Sequence, residues 1–240
     1  MSRFIDKLKE ASHSEPQPMG FGRGKSASKP SLVLVAEIKE KAAAAATEGA
    51  DAVLSSGEAG KTAGKSDIPS GVRLSGGKTG KLEGVDFVVL RPEMPVDMVS
   101  DEKTGKVMAV EASLELGLLR SMDDMPLDAL LVTVEEVQGK IITWQYLMLC
   151  KRCAALCGKP VLAAVSAQIS KDELQMIWNA GVAGVVAEVK AAGDAKKLRA
   201  LIDGLTPPSK SKGKKLRAIV PLLREEAAPV IDEDEEEEEE

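Results

Sequence analysis

The chain has 240 residues, 44% of them apolar, which is enough to build one large α/β domain or two small ones. Aromatic residues make up only 2%, so the core has to be built from aliphatic side chains. The net charge is −6, but nine acidic residues at 232–240 account for −9, and the rest of the chain carries +3. A secretory signal and the apolar run of ~18 residues that a membrane helix needs are both missing, so we expect a cytoplasmic protein that does not enter a membrane.

The N-terminal region predicts a short helix followed by an arm. Residues 3–11 place Phe4, Ile5, Leu8 and Ala11 on one side of an amphipathic helix. The stretch that follows, up to residue 30, is rich in Ser, Pro and Gly, which is typical of a loop. We therefore expect residues 1–30 to form an N-terminal helix and a flexible arm.

Eight short β-type runs follow, and most are continuous apolar stretches. Such runs are typical of strands that helices cover on both faces. Strand–helix–strand repetition in turn predicts a parallel sheet. The predicted strands are residues 32–36, 52–55, 71–74, 87–90, 107–110, 129–134, 161–165 and 184–189.

Helix signals lie between the later strands. Ser170 and Glu173 form a capping box that opens a helix ending before Gly181. Asp194 is expected to cap another helix that ends at Gly204. Helices are therefore best defined in the second half of the body.

Eight strand–helix units predict a compact (β/α)8 TIM-like barrel over residues 31–205. That body is well short of the about 250 residues typical of such barrels, so we expect short or missing helices in its first half. An open doubly wound parallel sheet is the alternative if one or two early runs are not strands. Residues 206–240 read as a basic linker and a disordered acidic tail.

A repeated tetrapeptide marks the first and last predicted strands. Ala-Glu-Ile-Lys contains Glu37 and Lys39, and Ala-Glu-Val-Lys contains Glu188 and Lys190. Side chains alternate along a strand, so each Glu-x-Lys pair faces one way, and a closed barrel makes the two strands neighbours. A lysine beside a carboxylate can act as a general acid or as a Schiff-base amine. The alternative is that the pairs are strand-end salt bridges or that Lys39 and Lys190 already belong to solvated helix starts.

Other polar residues follow strands at the same end, where barrel active sites form. Glu111 follows the fifth predicted strand and joins Glu37, Lys39 and Glu188 as a catalytic candidate. Arg91, Ser166 and Lys190 are the substrate-binding candidates. Each of them also has a structural interpretation, since Arg91 precedes a proline and can simply bond backbone carbonyls.

Three cysteines superficially suggest a metal site. Cys150, Cys153 and Cys157 have spacings of three and four within a helical pattern that ends at Gly158, so they lie on one stripe facing the sheet. We interpret them as buried small hydrophobic residues. His13 is the only histidine, which excludes histidine-based triads and multi-histidine zinc sites within one chain. We predict neither a cofactor nor a metal.

Several strand motifs resemble phosphate-binding barrels. The sequences Gly-Ala-Asp at 49–51 and Gly-Val-Asp at 84–86 are similar to the lead-ins of strands in that superfamily, and 180–186 is similar to its last strand. The nearest family is indole-3-glycerol-phosphate synthase, whose first strand ends Ala-Glu-x-Lys with both charged residues in the active site. Glu37 and Lys39 match that motif, and Glu111 resembles the family's mid-barrel catalytic glutamate.

The chain also departs from that family. Residues 40–42 replace a Ser-Pro-Ser loop, and residues 166–169 lack the Glu and Gly that the seventh strand leads into. Glu188 stands where the family has a glycine that approaches phosphate, and a carboxylate there repels phosphate. The resemblance therefore implies the fold and argues against the family's reaction.

Two functions are consistent with these patterns. The first is a lyase or isomerase acting on a small carbonyl or phosphorylated metabolite, by analogy of fold. The second is a non-catalytic barrel that serves as a scaffold or binding protein through its arm and charged tail. The expected ligand is a small molecule; few aromatics and the adjacent acidic tail argue against nucleic acid, and a protein partner on the tail is the remaining expectation.

Overall fold

Eight parallel strands form a closed barrel in sequence order, with β1 pairing with both β2 and β8. This confirms the predicted barrel and shows that the open-sheet alternative is wrong. The strands are β1 (Val33–Ile38), β2 (Ala52–Ser56), β3 (Ser70–Arg73), β4 (Phe87–Leu90), β5 (Gly105–Val110), β6 (Ala129–Val132), β7 (Val161–Val165) and β8 (Gly184–Glu188). The computed structural model describes residues 2–12, 32–38, 47–56, 68–74, 84–99, 101, 103–111, 116–133, 142–191 and 193–208.

Five α-helices lie among the described residues. They are α1 (Arg3–Ser12), α2 (Leu116–Asp124), α3 (Trp144–Leu156), α4 (Lys171–Asn179) and α5 (Asp194–Asp203). Between β4 and β5 the described residues contain only a 3₁₀ turn, Val96–Met98, as expected for a short connection. The connections from β1 to β4 lie largely outside the described residues. Short or missing helices in these connections therefore stay a prediction.

Alternation along the strands directs apolar side chains to two faces, one outside the barrel and one inside it. Outward side chains such as Leu34 and Val185 pack with α2 to α5 in one buried cluster. Inward side chains such as Val35, Leu131 and Val186 form a second cluster that fills the barrel. The period of two therefore explains why the strands are almost wholly apolar, and the barrel interior is a packed core instead of a channel.

Helix α1 closes the amino-terminal end of the barrel. Its predicted apolar side chains Phe4, Ile5 and Leu8 are buried in the interior cluster. The ring of Phe4 stacks on Phe87 of β4, with centroids 4.1 Å apart. A Cβ atom on Gly71 would lie 2.4 Å from the Phe87 ring, so only glycine leaves room for this aromatic pair. Helix α1 is thus part of the barrel core.

A carboxylate from a distant part of the chain holds the start of α1. The Ser2 hydroxyl donates to Asp86 at 2.7 Å, and the backbone amides of Arg3 and Phe4 donate to the same carboxylate at 3.0 and 2.9 Å. The first amides of a helix lack partners within the helix, and an anion there also complements the helix dipole. Asp86 therefore caps α1 from outside the helix.

The other aspartates before strands have a similar structural role. Asp51, just before β2, accepts the backbone amide of Leu34 at 2.9 Å, and Asp128, just before β6, accepts that of Lys106 at 2.9 Å. Each bond joins a strand to its neighbour at the amino-terminal end of the sheet. Asp51 also forms an ion pair with Arg199 of α5 at 2.9 Å. These lead-in aspartates stabilise the end of the barrel that lies opposite to the candidate site.

The helix signals of the second half are largely confirmed. Ser170 and Glu173 form the predicted capping box at the start of α4. The expectation for α5 was wrong in detail: Gly193, with φ of +92°, is its N-cap, and Asp194 is its first helical residue. A left-handed φ suits glycine because it has no Cβ atom.

The chain divides into two units, Met1–Pro208 and Ser209–Glu240. The second unit, with the predicted basic linker and acidic tail, lies outside the described residues, as does the predicted arm. Within the described part of the chain, no helix is long and apolar enough to cross a membrane.

Candidate functional site at the barrel mouth

Charged side chains gather at the carboxyl-terminal end of the barrel, on the side formed by β8, β1, β2 and β3. The register places Glu37 of β1 directly beside Glu188 of β8, as predicted for the first and last strands of a closed barrel. Both residues continue the inward-facing series of their strands, after Val35 and Val186. Glu37 is only 8% exposed, which is unusual for a glutamate and requires polar partners.

Three strands supply those partners. Glu37 Oε1 accepts a hydrogen bond from the Ser56 hydroxyl of β2 at 2.9 Å and another from Arg73 Nε of β3 at 2.8 Å. Strands β1 and β3 are not adjacent, and neighbouring strands lie about 4.8 Å apart. The Glu37 and Arg73 side chains therefore meet across the inner face of β2, within the mouth.

The Glu37–Arg73 pair is mostly shielded from water. The two side chains are 11% and 19% exposed, respectively. In such surroundings a charge-assisted hydrogen bond is stronger than on the surface, and loss of one partner leaves a poorly solvated charge. Ser56 adds a neutral donor to the same carboxylate oxygen. The arrangement fixes a carboxylate and a guanidinium in a defined geometry at the mouth.

The second tetrapeptide forms a different kind of pair. Lys190 Nζ lies 3.4 Å from Glu188 Oε1, but the lysine side chain is 80% exposed and the glutamate only 12%. An ion pair with one partner in solvent contributes little to stability. Lys190 is thus a largely solvated lysine that pairs with Glu188, as in the structural interpretation of the tetrapeptide. Glu188 itself faces the mouth. Lys39, the lysine of the first copy, lies outside the described residues.

The remaining candidates follow other strands: Ser166 and Arg91 follow β7 and β4, which flank this side of the mouth, and Glu111 follows β5, across the barrel from β1. Glu111 follows β5 and is half-buried, and Arg91 is exposed in the turn after β4. Ser166 follows β7, and its hydroxyl accepts the amide of Gln168 at 3.2 Å, so it shapes a turn. Among the described residues, no hydrogen bond or ion pair joins these three to Glu37. The structure therefore brings together Glu37, Glu188 and Lys190, but not the whole predicted set.

Arg73 and Ser56 are the residues that sequence reasoning missed. Arg73 lies within the predicted third strand, 71–74, but it is not among the predicted site residues. The signal was available, because a charged residue at the carboxyl end of an otherwise apolar strand has the same meaning as Glu37. The contact between strands that are not adjacent could not be read from either strand alone.

Two backbone amides of the loop after β8 are occupied by a side chain of the protein itself. Asp194 Oδ2 accepts the amides of Lys190 and Ala191 at 3.3 and 2.9 Å. Asp194 and Glu188 both place carboxylates on this segment, with Lys190 paired to Glu188, and the two amides held by Asp194 are not free to bind an anion. The expected departure from phosphate-binding barrels at Glu188 is thus accompanied by a second carboxylate.

The cysteine stripe of α3 is buried, as predicted. Burial raises the pKa of the Cys150 thiol to about 12 and that of Cys153 to about 11. Thiols of this kind stay protonated near neutral pH and are poor nucleophiles and metal ligands. Within the described ranges, no group of three or more His, Cys, Asp or Glu residues is placed to hold a metal.

Tyr146 connects the same helix to the sheet. Its hydroxyl donates to the carbonyl oxygen of Ala164 at 2.7 Å and lies 3.2 Å from that of Val132. Burial raises the pKa of Tyr146 well above its ordinary value, so the hydroxyl keeps its proton and remains a donor. The bond holds α3 against β6 and β7 below the mouth.

The closed barrel of eight parallel strands, with helices between them, defines the fold as a (β/α)8 TIM barrel, and the polar mouth lies at the carboxyl ends of its strands. Solved structures agree on the fold. Two mutant forms of the tryptophan synthase alpha-subunit from the hyperthermophile Pyrococcus furiosus match with TM-scores of 0.54 and 0.55, each at 14% identity over 73% of this chain and 98% of theirs. A further structure of that subunit matches with a TM-score of 0.51 at 15% identity, over 73% and 97% of the two chains.

No family model matches the sequence, and no curated protein does. At 14–15% identity the structural likeness shows the fold alone. These structures support the barrel fold, and they are tryptophan synthase alpha-subunits, not indole-3-glycerol-phosphate synthases. That finer resemblance stays a proposal.

Proposed function

We propose that the protein is a barrel enzyme that carries out lyase or isomerase chemistry on a small carbonyl or phosphorylated metabolite. The observation that carries the proposal is Glu37, a shielded carboxylate held at the mouth by Ser56 and Arg73. A fixed, poorly hydrated carboxylate is suited to moving protons to and from a bound substrate. Most glutamates at strand ends are simply solvated, and this one is not.

A second carboxylate lies directly beside the first in register. With Glu37 and Glu188 on neighbouring strands, one can accept a proton while the other returns it at an adjacent substrate atom. Lys39 belongs to this proposal by sequence, as a general acid or a Schiff-base amine. Glu111 is the proposed catalytic group from the opposite side of the mouth, with Arg91, Lys190 and Ser166 as outer ligand contacts.

The test combines ligand screening with substitution of the central carboxylate. Purified wild-type protein is screened by thermal shift against phosphorylated sugars, small carboxylates and neutral carbonyl compounds. We expect at least one compound to raise the melting temperature, and Glu37→Gln to remove turnover of that compound. Glu10→Gln, an exposed carboxylate on α1 at the other end of the barrel, is the matched control and should leave turnover unchanged.

The lysines provide a second test. Lys39→Met combined with Lys190→Met should abolish ligand binding while the melting temperature holds or rises if the lysines belong to the site. If they form only salt bridges, the melting temperature falls and ligand binding is unaffected.

The alternative is a non-catalytic barrel that acts as a scaffold or binding protein through its arm and tail. It is favoured by the shielded ion pair between Glu37 and Arg73, because a purely structural ion pair has the same appearance. No thermal shift across the whole panel, with no turnover detected, would support this alternative.

A further inference from the structure

Arg73 has hydrogen-bonding capacity that its known partners do not use. Its Nε donates to Glu37, but no described residue accepts a hydrogen bond from either of its Nη groups. No buried polar side-chain atom of the described residues is without a partner, so these Nη groups reach solvent at the mouth. The side chain as a whole is nevertheless only 19% exposed.

We propose that Arg73 binds an anionic group, a carboxylate or a phosphate, of the ligand, with Glu37 as the residue that positions its guanidinium. This inference rests on the proposed function of the mouth. A guanidinium is planar and offers two parallel N–H bonds along an edge, which matches the spacing of two oxygens in a carboxylate or phosphate. The Glu37 bond occupies Nε and fixes the plane, which leaves the edge formed by the two Nη groups for the ligand.

The position of Arg73 also sets the orientation of the ligand. The amides of Lys190 and Ala191 after β8 are taken by Asp194, and on that side the Glu188 carboxylate already has a lysine partner. An anionic group therefore binds over β2 and β3, next to Ser56 and Arg73. The rest of the ligand then extends towards Glu37 and Glu188, which are the proposed proton-transfer groups. The anion site thus lies two to three strands away from the end of β8, on the same side of the mouth.

Binding of simple anions tests this directly. The probes are sodium phosphate and sodium acetate, each compared with sodium chloride at matched ionic strength, by calorimetric titration of the full chain. Arg73→Met alone would leave Glu37 shielded and unpaired, so the comparison is made in a Glu37→Gln background, in which both proteins have a neutral residue at position 37. Arg120→Met, an exposed arginine on α2, is the control in the same background.

We expect Glu37→Gln to bind at least one probe as tightly as wild type or more tightly, because the competing carboxylate is gone while an amide oxygen still orients Arg73. Adding Arg73→Met should weaken binding about tenfold or more, since a bidentate charged hydrogen bond is lost. Arg120→Met should change nothing. The probe that loses affinity identifies the anion as carboxylate or phosphate.

Two outcomes would overturn the inference. One is equal anion affinity with and without Arg73. The other is that neither anion binds, while glyceraldehyde, a neutral carbonyl probe, binds to wild type and not to Glu37→Gln. In that case the proposed function holds, but the mouth has no anion site. If no probe of either kind binds, the inference and the proposed function fail together.

Discussion

The two ends of this barrel use the same inward-facing strand positions in opposite ways. At the amino-terminal end, Phe4, Phe87 and Gly71 pack without space between them, and α1 covers the opening. At the carboxyl-terminal end, the corresponding positions are Glu37 and Arg73, which are paired but still reach solvent. One end is closed by apolar packing, and the other retains charge where a ligand can reach it.

The contrast separates residues that stabilise the fold from residues that can act on a ligand. Replacing a buried ion pair by well-packed apolar residues is often neutral or stabilising. Stability alone therefore gives no reason to have a glutamate and an arginine, instead of leucines, in the mouth of the barrel. We therefore expect substitutions at the closed end to change stability alone. Substitutions at the open end should change ligand binding as well.

The largest effect is expected for Phe4→Ala. Removing a buried aromatic ring leaves a cavity against Phe87 and should cost about 3–5 kcal/mol, as measured by urea unfolding. Ligand affinity of the protein that remains folded should not change. Val96→Ala is the control: this side chain is 96% exposed, and its loss should stay within about 0.5 kcal/mol. A cost near zero for Phe4→Ala would show that α1 does not close the barrel in solution.

Arg73→Met should have the next largest effect on stability. It leaves Glu37 shielded without its charged partner, at a cost of about 2–3 kcal/mol after allowance for partial exposure. Adding Glu37→Gln should recover most of this loss, because no unpaired charge remains. If the double variant is as unstable as Arg73→Met, the loss reflects packing and not the ion pair.

Asp86→Ala should cost less, about 1–2 kcal/mol. It removes the acceptor of the Ser2 hydroxyl and of two α1 amides, which is comparable to the loss of a helix N-cap. Hydrogen exchange should rise in α1 and not in α4, which has its own capping box. Asp86→Asn keeps one acceptor oxygen and should lose less stability than Asp86→Ala; the reverse order would contradict the capping role.

The smallest effect is expected at α4, where the cap is local. The backbone amide and hydroxyl of Ser170 donate to Glu173 and lower its pKa below 4.5. Because the pKa of Glu173 is lower in the folded state than in the unfolded state, the ionised carboxylate stabilises the fold. This stabilisation is fully present above the unfolded-state pKa and is lost as the pH falls through the folded-state pKa. Wild type should exceed Glu173→Gln by about 0.5 kcal/mol at pH 7 and by less at pH 3. Glu93→Gln, an exposed control, should show no such trend.

Much of the fold could be predicted because strands covered on both faces are apolar throughout. All eight predicted runs became strands, and the capping box at Ser170 is present. The boundaries were less certain: β1 extends through Glu37 to Ile38, and β6 ends at Val132. Strand ends depend on pairing with neighbours, which the local sequence does not contain.

The site could be predicted only in part. The repeated Ala-Glu-x-Lys pointed to Glu37 and Glu188, because both copies are local patterns and barrel closure makes them neighbours. The contact between Glu37 and Arg73 depends on barrel curvature, since it joins strands that are not adjacent. The position of α1 against the barrel could not be predicted either. Its amphipathic pattern shows that one face is buried, but not which surface of the protein that face contacts.

The distant cap on α1 has a consequence for the order in which the chain folds during synthesis. Helix α1 is synthesised before Asp86, which caps it, and before Gly105, against which Ile5 packs. Strand β1 forms its second set of inter-strand hydrogen bonds later still, because that neighbour is β8, Gly184–Glu188. Helix α1 and strand β1 are thus completed only by segments made much later, and until then their apolar faces have no partner from those segments.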